Sequence, residues 1–363
     1  MAAADVAART SRAPRASRAD GRAWLWGTIG LSAAAFALAM ALAPPASAPP
    51  GRGLAWLLFV ASSGHVASTG WVLGNGDVRQ HAASHPWRYL RVPVILVLGT
   101  AAVAVATPQG MMDWLLLPYF GWQFYHFQKQ NLGMAALAAS SSGASPLTTG
   151  ERRVILAAGW AGIAGLLAHP ALLQVHAVTP VLRGLFPVAR LAFGVAVVTG
   201  MALLARRGRR GLSTPGSAAA YLMALAFFGP VFATILTRGS PYAAVGGLTI
   251  AHGLQYLLLT GLLAASGSGH VRNGGGGNAH ARALRLALLV NVVLIGGAIL
   301  AAGSHLDEAS GVARAGYGAY LGVVMAHFVI DAGLWRLRDP FPRRFLAGRL
   351  PYLVRMPMDR KTI

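Results

Sequence analysis

The sequence contains no cysteine. That excludes disulfides, iron–sulfur clusters, thiolate zinc sites and cysteine nucleophiles together, and leaves His, carboxylate and amide groups as the available metal ligands. Charge is scarce as well. Only 11% of the 363 residues are Asp, Glu, Lys or Arg, while 55% are hydrophobic, and the mean hydropathy is +0.53. A water-soluble chain of this length carries roughly 25% charged residues. Acidic residues are the rarest charge, 10 against 31 Lys plus Arg, for a net charge of +21. Nucleic-acid binding would need those cations gathered on one water-facing surface. The arginines instead stand in short clusters between apolar runs, the pattern that membrane orientation produces, so no nucleic-acid partner is expected. No Walker loop, dinucleotide fingerprint or Ser-based hydrolase elbow occurs in a fitting context, which removes nucleotide chemistry and serine hydrolysis.

What is present is a succession of apolar runs long enough to cross a bilayer, for which roughly 20 helical residues suffice. Ten stretches qualify: Ala23–Leu42, Leu54–Leu73, Tyr89–Ala106, Met111–Leu132, Val154–Leu173, Val181–Leu204, Ser217–Leu236, Tyr242–Ala265, Ala283–Ala302 and Tyr317–Trp335. Gly229-Pro230 interrupts the seventh. The connections Ala43–Gly53, Ala139–Thr149 and Ser266–Asn278 are rich in Pro, Ser, Ala and Gly and lack apolar periodicity, so no separate folded domain is placed in them. The expected fold is an all-α, polytopic integral membrane helix bundle embedded in the lipid bilayer. Residues 1–22 form a basic cytoplasmic tail, 23–335 a ten-span transmembrane domain and 336–363 a basic cytoplasmic segment. With the N-terminus inside, 26 of the 31 Lys and Arg fall on the inner side, and only Arg52, Arg183, Arg190, Arg238 and Arg314 on the outer. Shifting the chain by one span would destroy that bias, so both termini are expected in the cytoplasm of a cell-membrane protein. Ala46-Ser47-Ala48 resembles a signal cleavage site, but the first apolar stretch is too long for a signal core and Pro49 disfavours cleavage.

Eleven histidines are present. His81, His85, His270, His280 and His305 read as loop residues, and His169 and His176 flank the end of the fifth span. His81 and His85 are four apart and would pair only if helical. Four others lie inside spans: His65, His126, His252 and His327. All four are in even-numbered spans, about 10 to 15 residues from the outer end, or roughly 15–22 Å deep. Each has polar residues on the same helix face: Thr69 beside His65, Gln123 and Gln130 beside His126, Gln255 and Tyr256 beside His252, Asp331 beside His327. Polar groups at membrane depth face an interior or cavity. The plain alternative is that each histidine hydrogen-bonds a neighbouring helix.

Neutral imidazoles bind iron, zinc, copper and nickel, and a His-rich site with open positions suits non-haem iron and oxygen chemistry. His65, His126, His252 and His327 are the candidate ligands. Asp331 and Gln130 are expected to orient ligands or complete the shell, and Tyr256 and Gln255 to line the pocket. Apolar walls would suit a lipid-soluble small-molecule substrate. Two alternatives remain at this level: a bis-His haem b electron carrier, and a transporter in which the histidines and Asp331 relay protons or bind a solute. The HxxxH and HxxHH boxes of membrane desaturases are absent from the spans.

Four passages carry a resemblance: Gly64-His65-Val66-Ala67-Ser68-Thr69, Tyr125-His126-Phe127-Gln128-Lys129-Gln130-Asn131, Ala251-His252-Gly253 and Ala326-His327-Phe328-Val329-Ile330-Asp331. They resemble the intramembrane histidine segments of the Brp/Blh carotene-cleaving dioxygenases, multi-span bacterial proteins. The resemblance implies a non-haem iron held by His65, His126, His252 and His327, and oxidative chemistry on an isoprenoid-like molecule. The sequence departs from the family in having Gly64 where the family has Pro, in lacking an Asp soon after His65, and in having no His-x-x-x-His pair at His252.

Overall fold

The computed structural model describes residues 15–45, 48–175, 180–237, 240–266, 275–306 and 311–354. Most of the basic N-terminal tail, Ala46 and Ser47 of the cleavage-like site, His176, Arg238, His270, Arg272 and the last nine residues lie outside them. Among the described residues every regular element is helical and there is no strand. In chain order the elements are α1 (Arg15–Leu42), α2 (Arg52–Leu73), α3 (Gly76–Ala83), α4 (Trp87–Ala106), α5 (Gln109–Ser142) and α6 (Thr149–Leu167). They continue as α7 (Pro180–Arg209), α8 (Pro215–Ala226), α9 (Gly229–Thr237) and α10 (Tyr242–Ala265). Next comes α11 (Gly275–Asn291, running on into Gly297–Ser304), then α12 (Gly311–Leu334) and α13 (Pro340–Arg349).

Each of the ten expected stretches is helical over most of its length. Six helices among the described residues are long and apolar enough to cross a membrane: Asp20–Leu42, α4, Leu182–Arg209, α10, Ala279–Ser304 and α12. The count is seven if α2 and α3, bent by 82° at their junction, act as one span. The rest fall short for visible reasons. α5 carries Gln123, Gln128, Lys129, Gln130 and Asn131 along its inner half, α6 opens on Glu151-Arg152-Arg153, and Phe227–Phe228 break α8 from α9 ahead of Pro230. The bundle has the surface of a membrane protein. On α7, Val188, Leu191, Val195 and Val198 are 58–70% exposed along one stripe, an apolar face that water would not tolerate but lipid does. α4, α7 and α11 are mostly exposed, whereas α10 and α12 are mostly buried and form the centre.

Two expected loops are corrected. His81 stands on the last turn of α3, with its ring 4.4 Å from that of His85 and stacked 4.0 Å from Phe341 of α13. Burial, then the neighbouring His85 and Arg88, pull the His81 imidazole below its ordinary pKa. His280 is likewise helical, because α11 begins inside the glycine run at Gly275.

The centre is tight because α2 widens into a π turn at Val60–Gly64, directly before His65. Gly253 of α10 packs on that turn so closely that a Cβ would overlap the Ala61 carbonyl. Gly297 of α11 closes from another side, where a Cβ would stand 3.0 Å from the Gly64 Cα. The glycines beside His65 and His252 therefore serve close helix–helix approach.

At the other end of α5, Glu151 and Arg207 form a buried ion pair at 3.1 Å. Glu151 also accepts from the Thr148 amide at 2.7 Å, capping α6, and Arg207 donates to the Pro146 carbonyl at 3.2 Å and to that of Ser145. The Ser-rich connection after α5 is thus clamped. Arg207→Met is expected to destabilise the protein by about 3–5 kcal/mol, because it strands a buried carboxylate. Adding Glu151→Gln should recover most of that loss in denaturant titrations in detergent. Equal stability of the single and double variants would refute the clamp.

Candidate metal centre

The four intramembrane histidines come from α2, α5, α10 and α12, and the fold brings them together. Their rings form a closed four-membered circuit, with centroids 4.9 Å apart for His65 and His252, 5.0 Å for His252 and His126, 5.1 Å for His126 and His327, and 5.1 Å for His327 and His65. All four are at most 9% exposed. A regular ring of four with sides of about 5 Å places its centre roughly 3–3.5 Å from each centroid. An ion bound about 2.1 Å from an imidazole nitrogen lies roughly 3.2 Å from that ring's centroid, so the circuit is of the right size for one ion.

Asp331 joins from one turn along α12. Its Oδ2 lies 3.6 Å from His327 Nε2 and 4.0 Å from His126 Nε2. Two ligand atoms on a common ion at about 2.1 Å lie at most about 4.2 Å apart, so both separations fit. Two overlapping groups have the composition of a metal site, His65 with His252 and His327, and His126 with His327 and Asp331, each with its ligand atoms within 4.8 Å of one another. That outer spread is slightly wide for one ion, so loading would draw the side chains in by a few tenths of an ångström.

Polar atoms in and around this space lack partners. Both ring nitrogens of His65 and of His252, Nε2 of His126, Nε2 of His327 and Oδ2 of Asp331 are buried without a hydrogen-bond partner. His65 lies near the carbonyls of Ala61 and Ser62 on its own preceding turn, without reaching good hydrogen-bond geometry. Each such atom costs about 1–3 kcal/mol when left unmet. Their convergence in one dry place gives a group that could hold a cation.

The tautomer of His327 is set by a chain that starts at the carboxylate. The Tyr256 hydroxyl donates to Asp331 Oδ1 at 3.0 Å. The Tyr256 oxygen then accepts from Thr69 at 3.1 Å, which leaves the Thr69 oxygen to accept from His327 Nδ1–H at 2.7 Å. The proton sits on Nδ1, and Nε2 is left bare toward the centre, as a metal ligand must be.

The remaining predicted residues hold the frame. Gln130 Nε2 donates to the His252 carbonyl at 2.9 Å and to Gln255 Oε1 at 3.0 Å. Gln255 Nε2 donates to Ser32 Oγ of α1 at 2.9 Å and to Asn131 Oδ1 at 3.2 Å. Gln130 thus orients the backbone that carries His252, and Gln255 ties α10 to α1 and α5. Two aromatic residues were missed by sequence reasoning. Phe127 stacks on His252 at 4.0 Å and 18°, and Phe328 on His126 at 4.6 Å and 26°. The signal was the His-Phe dipeptide, present as His126-Phe127 and His327-Phe328, in which each phenyl ring covers a neighbour's imidazole. Ser32 gave no signal, since it and Thr28 are isolated hydroxyls in an apolar stretch of α1.

Thr69→Val removes the acceptor for His327 Nδ1–H and should weaken metal binding about 10–100-fold, the usual effect of losing a ligand's orienting partner. Thr69→Ser should restore it. Competition against a chelator of known affinity reads both, and wild-type affinity in Thr69→Val would show that the hydroxyl chain does not matter. Comparison with known proteins adds no name to this geometry: no protein-family model, curated protein or solved structure matches the chain.

Proposed function

We propose that the protein is a membrane-embedded metalloenzyme whose His65, His126, His252 and His327 hold a non-haem iron, and that it acts oxidatively on an apolar, isoprenoid-like molecule. The observation that carries this reading is the closed circuit of four buried imidazoles with their partnerless nitrogens and the Asp331 carboxylate. A redox-active metal in a His-rich site with open positions supplies dioxygen chemistry. The chain does the rest. Asp331 offers Oδ2 as a further ligand and receives the Tyr256 proton at Oδ1. Thr69 fixes the protonated nitrogen of His327, and Gln130 holds the His252 backbone. Phe127 and Phe328 keep water from two of the rings, which suits a reaction that water would divert.

The resemblance to carotene-cleaving dioxygenases points the same way. The ten-span arrangement with both ends in the cytoplasm of the cell membrane belongs to this proposal, and the 26 to 5 distribution of Lys and Arg supports it. A bis-His haem fits the geometry less well. Between either opposite pair of imidazoles, the other two stand where the macrocycle would lie.

The test is metal analysis with an absorption spectrum on detergent-purified protein. The expected result is non-haem iron in proportion to the chain, without a Soret band. His65→Ala, His126→Ala, His252→Ala and His327→Ala should each lower bound metal sharply while the protein still inserts. Full metal content in all four variants sinks the site. A Soret band would establish the haem carrier, and folded, unstripped protein without metal would leave the proton- or solute-carrying reading.

A further inference from the structure

On the outer side of the centre lies a cavity of about 260 Å³ between α4, α5 and α12. Its walls are Val103 and Ala104 of α4, residues from Met112 to Trp122 of α5, and Leu321 and Met325 of α12, with Thr100 and Tyr119 as the hydroxyl-bearing residues and no charged group. It exists because α4 and α12 touch while α5 does not close on them. Gly318 and Gly322 of α12 lie against the α4 backbone so closely that a Cβ on either would overlap it, and Thr100 Oγ1 donates to the Gly318 carbonyl at 2.7 Å. Pro118 stands inside α5 at this level and cannot donate to the Trp114 carbonyl, which loosens the helix beside the cavity.

The cavity is open toward the lipid, where Val103, Leu115 and Trp122 are 37–47% exposed. Its lining ends at Trp122 of α5 and Met325 of α12, each within a turn of a centre residue, His126 or His327. From Met112 to Trp122 it runs about 15 Å along α5, and Trp122 stands one turn before His126. Phe328 bridges the two, meeting Trp122 edge-on at 5.7 Å and covering the His126 ring at 4.6 Å.

We infer that this cavity binds the end of an uncharged, linear, bilayer-dissolved hydrocarbon, with Phe328 the wall between that chain and His126. The inference rests on the proposed metal centre and gives its substrate a route from the membrane. The volume falls below the roughly 300–1,000 Å³ of pockets that bury a whole small ligand, so it takes a chain end and not a whole molecule. The lining residues carry no charge, so the part of a ligand that enters the cavity is uncharged.

The test uses the full chain in lipid nanodiscs with a linear isoprenoid hydrocarbon carrying a terminal diazirine, photolysed and mapped by peptide mass spectrometry. Metal content is measured on the same samples. Adducts on Met112–Trp122 and Leu321–Met325 are expected several-fold above those on the exposed stripe of α7. Leu115→Trp together with Met325→Trp should bring them down to the α7 level with metal retained. Phe328→Ala should extend them to His126–Asn131. Metal-loaded protein labelled no more strongly in the cavity than on α7 overturns the binding site and leaves the centre standing. Cavity labelling in protein that binds no metal overturns the centre instead. Labelling by a diazirine-acyl phosphatidylcholine in place of the hydrocarbon overturns the choice of ligand, and an unextended pattern in Phe328→Ala overturns the wall.

Discussion

Lone pairs that face one another without a proton or a cation between them repel, and in a dry interior no solvent softens the repulsion. The four imidazoles and Asp331 converge on one another in such an interior. Everything around them can be read as what keeps them there. Glycines bring α2, α10 and α11 into contact at the level of His65. Amides tie α1, α5 and α10 together just beyond the rings. Phenyl rings seal two of the imidazoles. A bundle that needed only to be stable would fill this volume with leucine.

The carboxylate connects two tasks. One oxygen faces the histidine nitrogens, and the other terminates the hydroxyl chain through Tyr256 and Thr69 to the far side of His327. With Tyr256 donating to the carboxyl, the hydroxyl chain runs in one direction and leaves the opposite nitrogen of His327 without a proton. In the proposed centre the same residue would attract a cation and prepare the ligand that meets it.

Much of this was legible in the residues. The common depth of the four histidines follows from helix rise alone, and Thr69, Gln130, Gln255, Tyr256 and Asp331 were visible as polar stripes at helical spacing. Depth carries no information about position in the membrane plane, so the circuit itself was not legible. Nor was the partner of Thr69, which is 258 residues away in sequence. The span count was less legible: six or seven helices, against the ten stretches expected, are long and apolar enough to cross a membrane, and the amides on α5 lower its apolarity below that of an ordinary span. His81 read as a loop residue because Pro86 lies close by, yet α3 ends at Ala83, before the proline is reached.

A π turn is an α-helix with one residue inserted, and it rotates whatever follows by about 100° relative to the unbroken helix. In α2 the insertion at Val60–Gly64 falls between Trp56, 62% exposed, and His65, 3% exposed. The outer half of that helix keeps its registration with the lipid, and the inner half is turned to present its imidazole. Such a turn is one by which a structural helix acquires a ligand through a single inserted codon, leaving the rest of its packing where it was.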